Sequence, residues 1–204
     1  MSGKVIVWGV GLGLLGIAAR ADELPSWWRT FPSLPRLESP FTQESQSAVF
    51  GKLVRQGQLM LAKGGRLRVE YRRGGLLVAD GSSLVQYDPD ARTAQRIKLR
   101  TAAEDTPLLF VLLNPGALGG YYEARPGATA QGVVLEPRRP GLPKVELTGR
   151  GSLLQRIQWV DGTGARQVIE LQDPKVPPAP FPPSVFTFQA PAGTRWLSVN
   201  RSLP

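Results

Sequence analysis

From Gln58 to Leu99 apolar and polar positions alternate with a period of two, and short turn signals break the alternation at regular intervals. Leu67, Val69 and Tyr71 fall on one face of a strand, with Arg68 and Glu70 on the other. Gln58–Leu61, Leu76–Ala79, Ser83–Tyr87 and Thr93–Leu99 repeat the pattern. Gly64-Gly65, Gly74-Gly75, Asp80-Gly81 and Asp88-Pro89 stand between the runs, where hairpin turns need such residues. The pattern predicts an antiparallel meander. It resumes at Tyr121–Arg125, Gly132–Glu136, Lys144–Leu147, Leu153–Val160 and Gln167–Leu171, with Asp161-Gly162-Thr163-Gly164 as a further turn.

Three segments depart from the alternation. In residues 22–36, Trp27, Trp28, Phe31 and Leu34 recur at roughly helical spacing, while Pro32 and Pro35 limit any helix to one or two turns. Glu104-Asp105-Thr106-Pro107 is a helix-start signal, and the apolar run Leu108–Leu113 up to Asn114-Pro115-Gly116 predicts a short helix buried on more than one face. Asp173–Pro183 is too rich in proline for a central strand and reads as an extended loop before a last strand, Val185–Phe188. The polar stretch Phe41–Val54 reads as an edge strand. Ten to twelve strands with one or two helices make an α+β domain dominated by antiparallel sheet, and a sheet of that size curls or closes.

The N-terminus changes the picture. Lys4, the uncharged apolar run Val5–Ile17 and the small residues of Ala19-Arg20-Ala21 predict a signal peptide over residues 1–21, cleaved after Ala21. Residues 22–204 are then the single mature domain, and export places it in the periplasm. Removing residues 1–21 takes away Lys4 and Arg20 and leaves 23 basic and 16 acidic side chains, net +7. These charges are scattered, with no dense basic run interleaved with aromatics, which argues against nucleic acid. The 204 residues contain no Cys and no His, which excludes thiol catalysis, Ser-His triads and the common zinc sites. Asp80, Asp88, Asp161 and Glu136 are the remaining acid–base candidates, but the three aspartates sit in ordinary turn sequences. No metal site is expected.

The ordered motifs resemble those of the LolA family of periplasmic lipoprotein carriers. Phe41-Thr42-Gln43 resembles the family's F-x-Q signature, and Gly57–Leu61 its first core strand. Gly65–Tyr71, Val78-Ala79-Asp80-Gly81 and Tyr87-Asp88-Pro89 resemble the strands and hairpin that follow. Thr106–Leu109 sits where the family has its second helix, and Val134–Pro137 and Ile157–Asp161 resemble later strands. Phe186-Thr187-Phe188 with Pro191 and Gly193 resembles the family's close. The resemblance covers most of residues 41–193. The same scaffold occurs in LolB, which carries a lipidated Cys that this chain lacks, and in envelope-stress sensors.

The resemblance implies an unclosed half-barrel of antiparallel strands, with short helices as a lid over a concave apolar face. It implies carriage rather than catalysis. Lipoprotein acyl chains would enter the cavity at the inner-membrane exporter and leave at an outer-membrane acceptor, carried by a monomer without a cofactor. Leu59, Leu61, Leu67, Val69 and Tyr71 would line the sheet, and Leu108, Val111 and Leu112 the lid's underside. Lys63 stands where the family often has an Arg that hydrogen-bonds the lid and keeps the empty form closed. Lys lacks that planar fork, which predicts a weaker latch. Val69 replaces a frequent aromatic residue and leaves more volume. The competing readings are a lipid- or lipoprotein-sensing module on the same scaffold, and an assembly protein that binds a polypeptide on the concave face.

Overall fold

The computed structural model describes residues 23–99 and 111–198. The predicted signal peptide lies outside the described residues, as do the predicted helix start at residues 104–107 and Leu108. The first meander comprises β1 (Arg36–Ser47), β2 (Gly51–Ala62), β3 (Arg66–Tyr71), β4 (Leu76–Asp80), β5 (Ser83–Asp88) and β6 (Thr93–Lys98). The second comprises β7 (Tyr122–Pro126), β8 (Gly132–Pro137), β9 (Val145–Arg150), β10 (Leu153–Val160) and β11 (Arg166–Leu171), and β12 (Arg195–Leu197) follows. All twelve form one sheet in the order β12-β6-β5-β4-β3-β2-β1-β11-β10-β9-β8-β7. The two ends of that order do not pair, so the sheet is curved but not closed into a barrel.

Pairing of β1 with β11 joins the two meanders, Phe41 opposite Leu171 and Gln46 opposite Arg166. Phe41–Gln46 are therefore not an edge strand, as their polarity suggested: they pair on both sides, at the centre of the sheet. Gly51–Val54, the other arm of the hairpin, pair only with β1, because the β3 ladder begins at Gly57. The polarity follows from burial: Phe41 is the last buried residue of β1, and from Thr42 to Gln56 both faces of the hairpin are reached by solvent.

The register puts one continuous apolar face inward. Leu37, Leu61, Leu67 and Ala79 lie in one row across four strands, and Ser39, Leu59, Val69 and Leu77 in the next. Ile169, Ile157, Leu147 and Val133 continue the face into the second meander. Helix α1 (Ser26–Thr30) lies over that half, in contact with β9 and β10, and the 3₁₀ turn Phe31–Ser33 follows it. Trp27 is fully buried there and donates its indole Nε1–H to the Gln131 carbonyl at 3.0 Å. Its seat is Gly149, where a Cβ would stand well under 3.0 Å from three indole atoms.

Helical residues 111–113 and the 3₁₀ turn Pro115–Gly120 complete the inner cover, with Val111, Leu112 and Leu118 buried. The Pro-rich segment is extended, as its composition predicts, and crosses the outer face. Lys175 bridges to Glu38, and Arg36 donates to the Pro177 and Pro178 carbonyls. Val185–Phe188 is not the strand that its composition suggested. Pro183–Phe186 is a 3₁₀ turn, because Pro182 and Pro183 lack ladder donors and the Val185 carbonyl is taken by Arg68. Phe186 buries itself there, and the tail beyond returns as β12, parallel to β6.

Candidate functional site

The F-x-Q motif is a structural knot across three adjacent strands. Phe41 lies over Gly57, where a Cβ would stand 2.6 Å from the ring. Tyr71, opposite Gly57, meets the Phe41 ring edge-on at 5.4 Å. Its hydroxyl donates to Gln43 Oε1 at 2.8 Å. Burial pushes the Tyr71 phenol up from its ordinary range, and nearby Arg55 partly offsets this. Tyr71 therefore stays a neutral donor at physiological pH. The three motifs that carried the resemblance here meet in one cluster that fixes the register of β1, β2 and β3.

Asp80 and Asp161, two of the acid–base candidates, are turn formers. Asp80 is mostly exposed. Desolvation, the largest single influence, raises its pKa, but the backbone and side-chain hydrogen bonds from Ser83 and Ser82 together outweigh it. These hold it well below the usual carboxylate range. The Asp161 carboxylate is lowered chiefly by the Thr163 hydroxyl, with Gln167 and two backbone N–H groups adding to it. Each carboxylate is engaged by its own hairpin. Among the described residues no cluster of His, Cys, Asp and Glu could hold a metal.

The concave face holds instead a cavity of about 680 Å³ at one end of the sheet. Its floor is the end of β2 and the turns after β2 and β4, with Leu61, Ala62, Gly65, Gly81 and Ser82. Its cover is Phe31, Pro32 and Leu34 after α1, Leu112 and Leu113, and the Asn114–Ala117 stretch with Tyr121. Leu99 closes the side.

Of the residues singled out from the sequence, Leu61, Leu112 and Lys63 line this cavity. Leu59, Leu67, Val69 and Val111 share its apolar cluster but are packed shut, each at most 3% exposed. Tyr71 is half-buried in the Phe41 knot. Leu108 lies outside the described residues. Lys63 is exposed, and its backbone N–H donates to the Pro35 carbonyl at 3.0 Å, which ties the β2 end to the start of β1. Sequence reasoning missed Ala117 and Tyr121: Asn114-Pro115-Gly116 reads only as a helix stop and Tyr121 as the start of a strand, whereas the 3₁₀ turn Pro115–Gly120 carries both to the cavity. It noted Phe31 and Leu34 only as apolar residues at roughly helical spacing.

Comparison with known proteins agrees with this geometry. Residues 33–189 match the family described as outer membrane lipoprotein carrier protein LolA. An outer-membrane lipoprotein carrier protein from Chromohalobacter salexigens is 30% identical over 146 residues, covering 68% of each chain. One of the same description from Bordetella avium is 26% identical over 123 residues, covering 58% of each. Among solved structures, an uncharacterized conserved protein from Thermus thermophilus superposes with a TM-score of 0.51 at 11% identity. It covers 84% of this chain and 94% of that one, which supports the fold alone.

Proposed function

The chain belongs to the LolA family of outer membrane lipoprotein carrier proteins, and on that premise we propose that it is a periplasmic carrier that hides lipoprotein acyl chains between its concave sheet face and its helical cover. The observation that carries this reading is the cavity walled by the end of β2 on one side and by Phe31, Pro32, Leu34 and residues 112–117 on the other, with the apolar side chains Leu61, Leu99, Leu112 and Leu113 facing it. Transfer of acyl groups from water is worth about 0.8 kcal/mol per buried CH₂, so binding needs apolar area rather than polar chemistry.

The cavity is in the range that holds one drug-sized ligand. A triacylated anchor is larger. Its entry therefore requires the cover to lift and to expose Leu59, Leu67, Val69 and Val111, which are shut in this structure. Closure of the cover competes with cargo for one surface, which keeps binding reversible. The proposal assigns the latch to Lys63, which lines the cavity, and the Lys63→Leu variant is expected to slow cargo release to an acceptor. Release at the wild-type rate would remove the latch from the account. The exporter and the acceptor belong to the same proposal, as does export by a cleaved signal peptide.

Native mass spectrometry of the protein purified from a bacterial periplasm tests the cargo. Stoichiometric co-purifying lipoprotein is the expected result. An empty protein that nevertheless alters an envelope-stress response would favour the sensory reading instead.

A further inference from the structure

The β1–β2 hairpin reaches past its neighbours. On one side β11 pairs with β1 only as far as Gln46, opposite Arg166. On the other, the β3 ladder begins at Gly57, with one more bond from the Arg72 N–H to the Gln56 carbonyl. The end of the hairpin is apolar: Val49 is 80% exposed, Phe50 90%, Leu53 51% and Val54 48%. The turn is braced from within, since the Ser47 hydroxyl accepts from the Val49 and Phe50 N–H groups. That bracing leaves both side chains pointing outward.

Around this tip stand the exposed basic residues Lys52, Arg55, Arg72, Arg73 and Arg166. The facing acids are Glu44, which pairs with Lys52 at 2.7 Å, and Asp161, which is engaged by Thr163 and Gln167. Arg72 and Arg166 are tethered to Gln56 and Gln158, and Arg55 lies over the Tyr71 ring. None of these three ties cancels a charge. The collar is net positive.

We propose that this tip is a membrane-contact site that seats in the interface of a bilayer rich in anionic lipid. Leu53 and Val54 point to opposite faces of the ribbon, so the apolar surface wraps around the hairpin's end. A groove on a protein would cover one face, whereas an isotropic apolar medium covers both. The basic collar lies behind the apolar tip, at the depth where headgroup phosphates would meet it. The tip and the cavity occupy opposite ends of β2, roughly 36 Å apart at strand rise. Seating the tip therefore leaves the cavity open to solution. The site does not depend on the cargo reading.

The chain has no Cys, so Ala48→Cys gives a single exposed attachment point beside the tip that keeps Val49 and Phe50. The probe is an environment-sensitive nitrobenzoxadiazole label on that residue. The protein is purified from a periplasm, with its N-terminus checked by intact mass. The vesicles are 3:1 phosphatidylethanolamine–phosphatidylglycerol, with pure phosphatidylcholine as the neutral comparison.

The expected result is a blue-shifted, brighter label on the anionic vesicles only, reversed as salt rises from about 50 mM to about 500 mM. In co-sedimentation, Val49→Ser with Phe50→Ser should weaken binding at least about tenfold. Arg72→Ser with Arg73→Ser should weaken it several-fold. All four positions are exposed, so unchanged melting curves confirm folding. Absence of vesicle binding overturns the proposal. So does binding that the Val49–Phe50 double variant leaves intact, or a label that remains in water. If the wild type ignores vesicles while the variant loses contact with a membrane-protein exporter, the tip belongs to a protein partner and the proposal fails.

Discussion

Substituting Gly149 by Ala tests how the cover is held. Gly149 has ordinary strand geometry, so backbone propensity alone favours Ala by about 0.5–1 kcal/mol. Against this stands the Trp27 indole, which occupies the space a Cβ needs. Trp27 has nowhere to retreat: it is fully buried, its Nε1 is fixed on Gln131, and Trp28 and Phe31 stand at 5.9 and 6.2 Å. Overpacking of this kind typically costs about 1–3 kcal/mol, which exceeds the propensity gain. For a chain of this size the net cost, up to about 2.5 kcal/mol, should lower the melting temperature by up to about 10 °C. Urea unfolding followed by tryptophan fluorescence measures the free-energy change. The double-mutant cycle with Trp27→Ala isolates the cause: with the indole gone, Gly149→Ala should be neutral or slightly stabilising. Full additivity of the two substitutions, or a stabilised single variant, would refute the seating of α1 on Gly149.

Tyr71→Phe leaves Gln43 Oε1 without its donor and should cost about 1 kcal/mol in urea unfolding; an unchanged midpoint would remove the hydrogen bond from the knot. Asp80 has a lowered folded-state pKa, so its contribution is complete above the unfolded carboxylate value of 3.8 and is lost as pH falls toward its folded value. Asp80→Ala should therefore reduce the acid-induced loss of stability below about pH 4, as read from melting temperatures against pH. Ala117→Trp should fill the cavity and weaken binding of a fluorescent fatty-acid probe at least about tenfold, with the fold intact by circular dichroism. A probe that binds this variant normally sits somewhere other than the described cavity.

Much of this architecture is legible in the sequence, for a definite physical reason. A sheet with one face in the core and the other in water must alternate, and Leu67-Arg68-Val69-Glu70-Tyr71 does so without exception. Turn chemistry is equally local: Asp80 and Asp161 read as turn residues because their carboxylates accept from the residues just after them. The long-range pairing is less legible. Nothing local in Phe41–Gln46 shows that its second partner is β11, more than a hundred residues away, and without that partner the polar stretch reads as an edge. Val185–Phe188 has strand-forming residues, yet the preceding prolines and the Arg68 donor decide its conformation.

The candidate site was legible in part. The apolar set around Leu59, Leu67 and Val69 was found, but alternation alone cannot distinguish a residue packed shut from one lining open space. Leu61, Leu112 and Lys63 reach the cavity because they sit where the strands end and the cover bends away. Ala117 and Tyr121 join them through a 3₁₀ turn whose Pro-Gly sequence reads as simple termination.

The most direct test of carriage is lipoprotein release from inner-membrane vesicles bearing the organism's own exporter. Adding the purified protein should move newly matured lipoprotein into the soluble fraction as a one-to-one complex, and the Ala117→Trp protein should release markedly less. Lipoprotein that stays with the vesicles at every concentration of the wild-type protein would contradict the account.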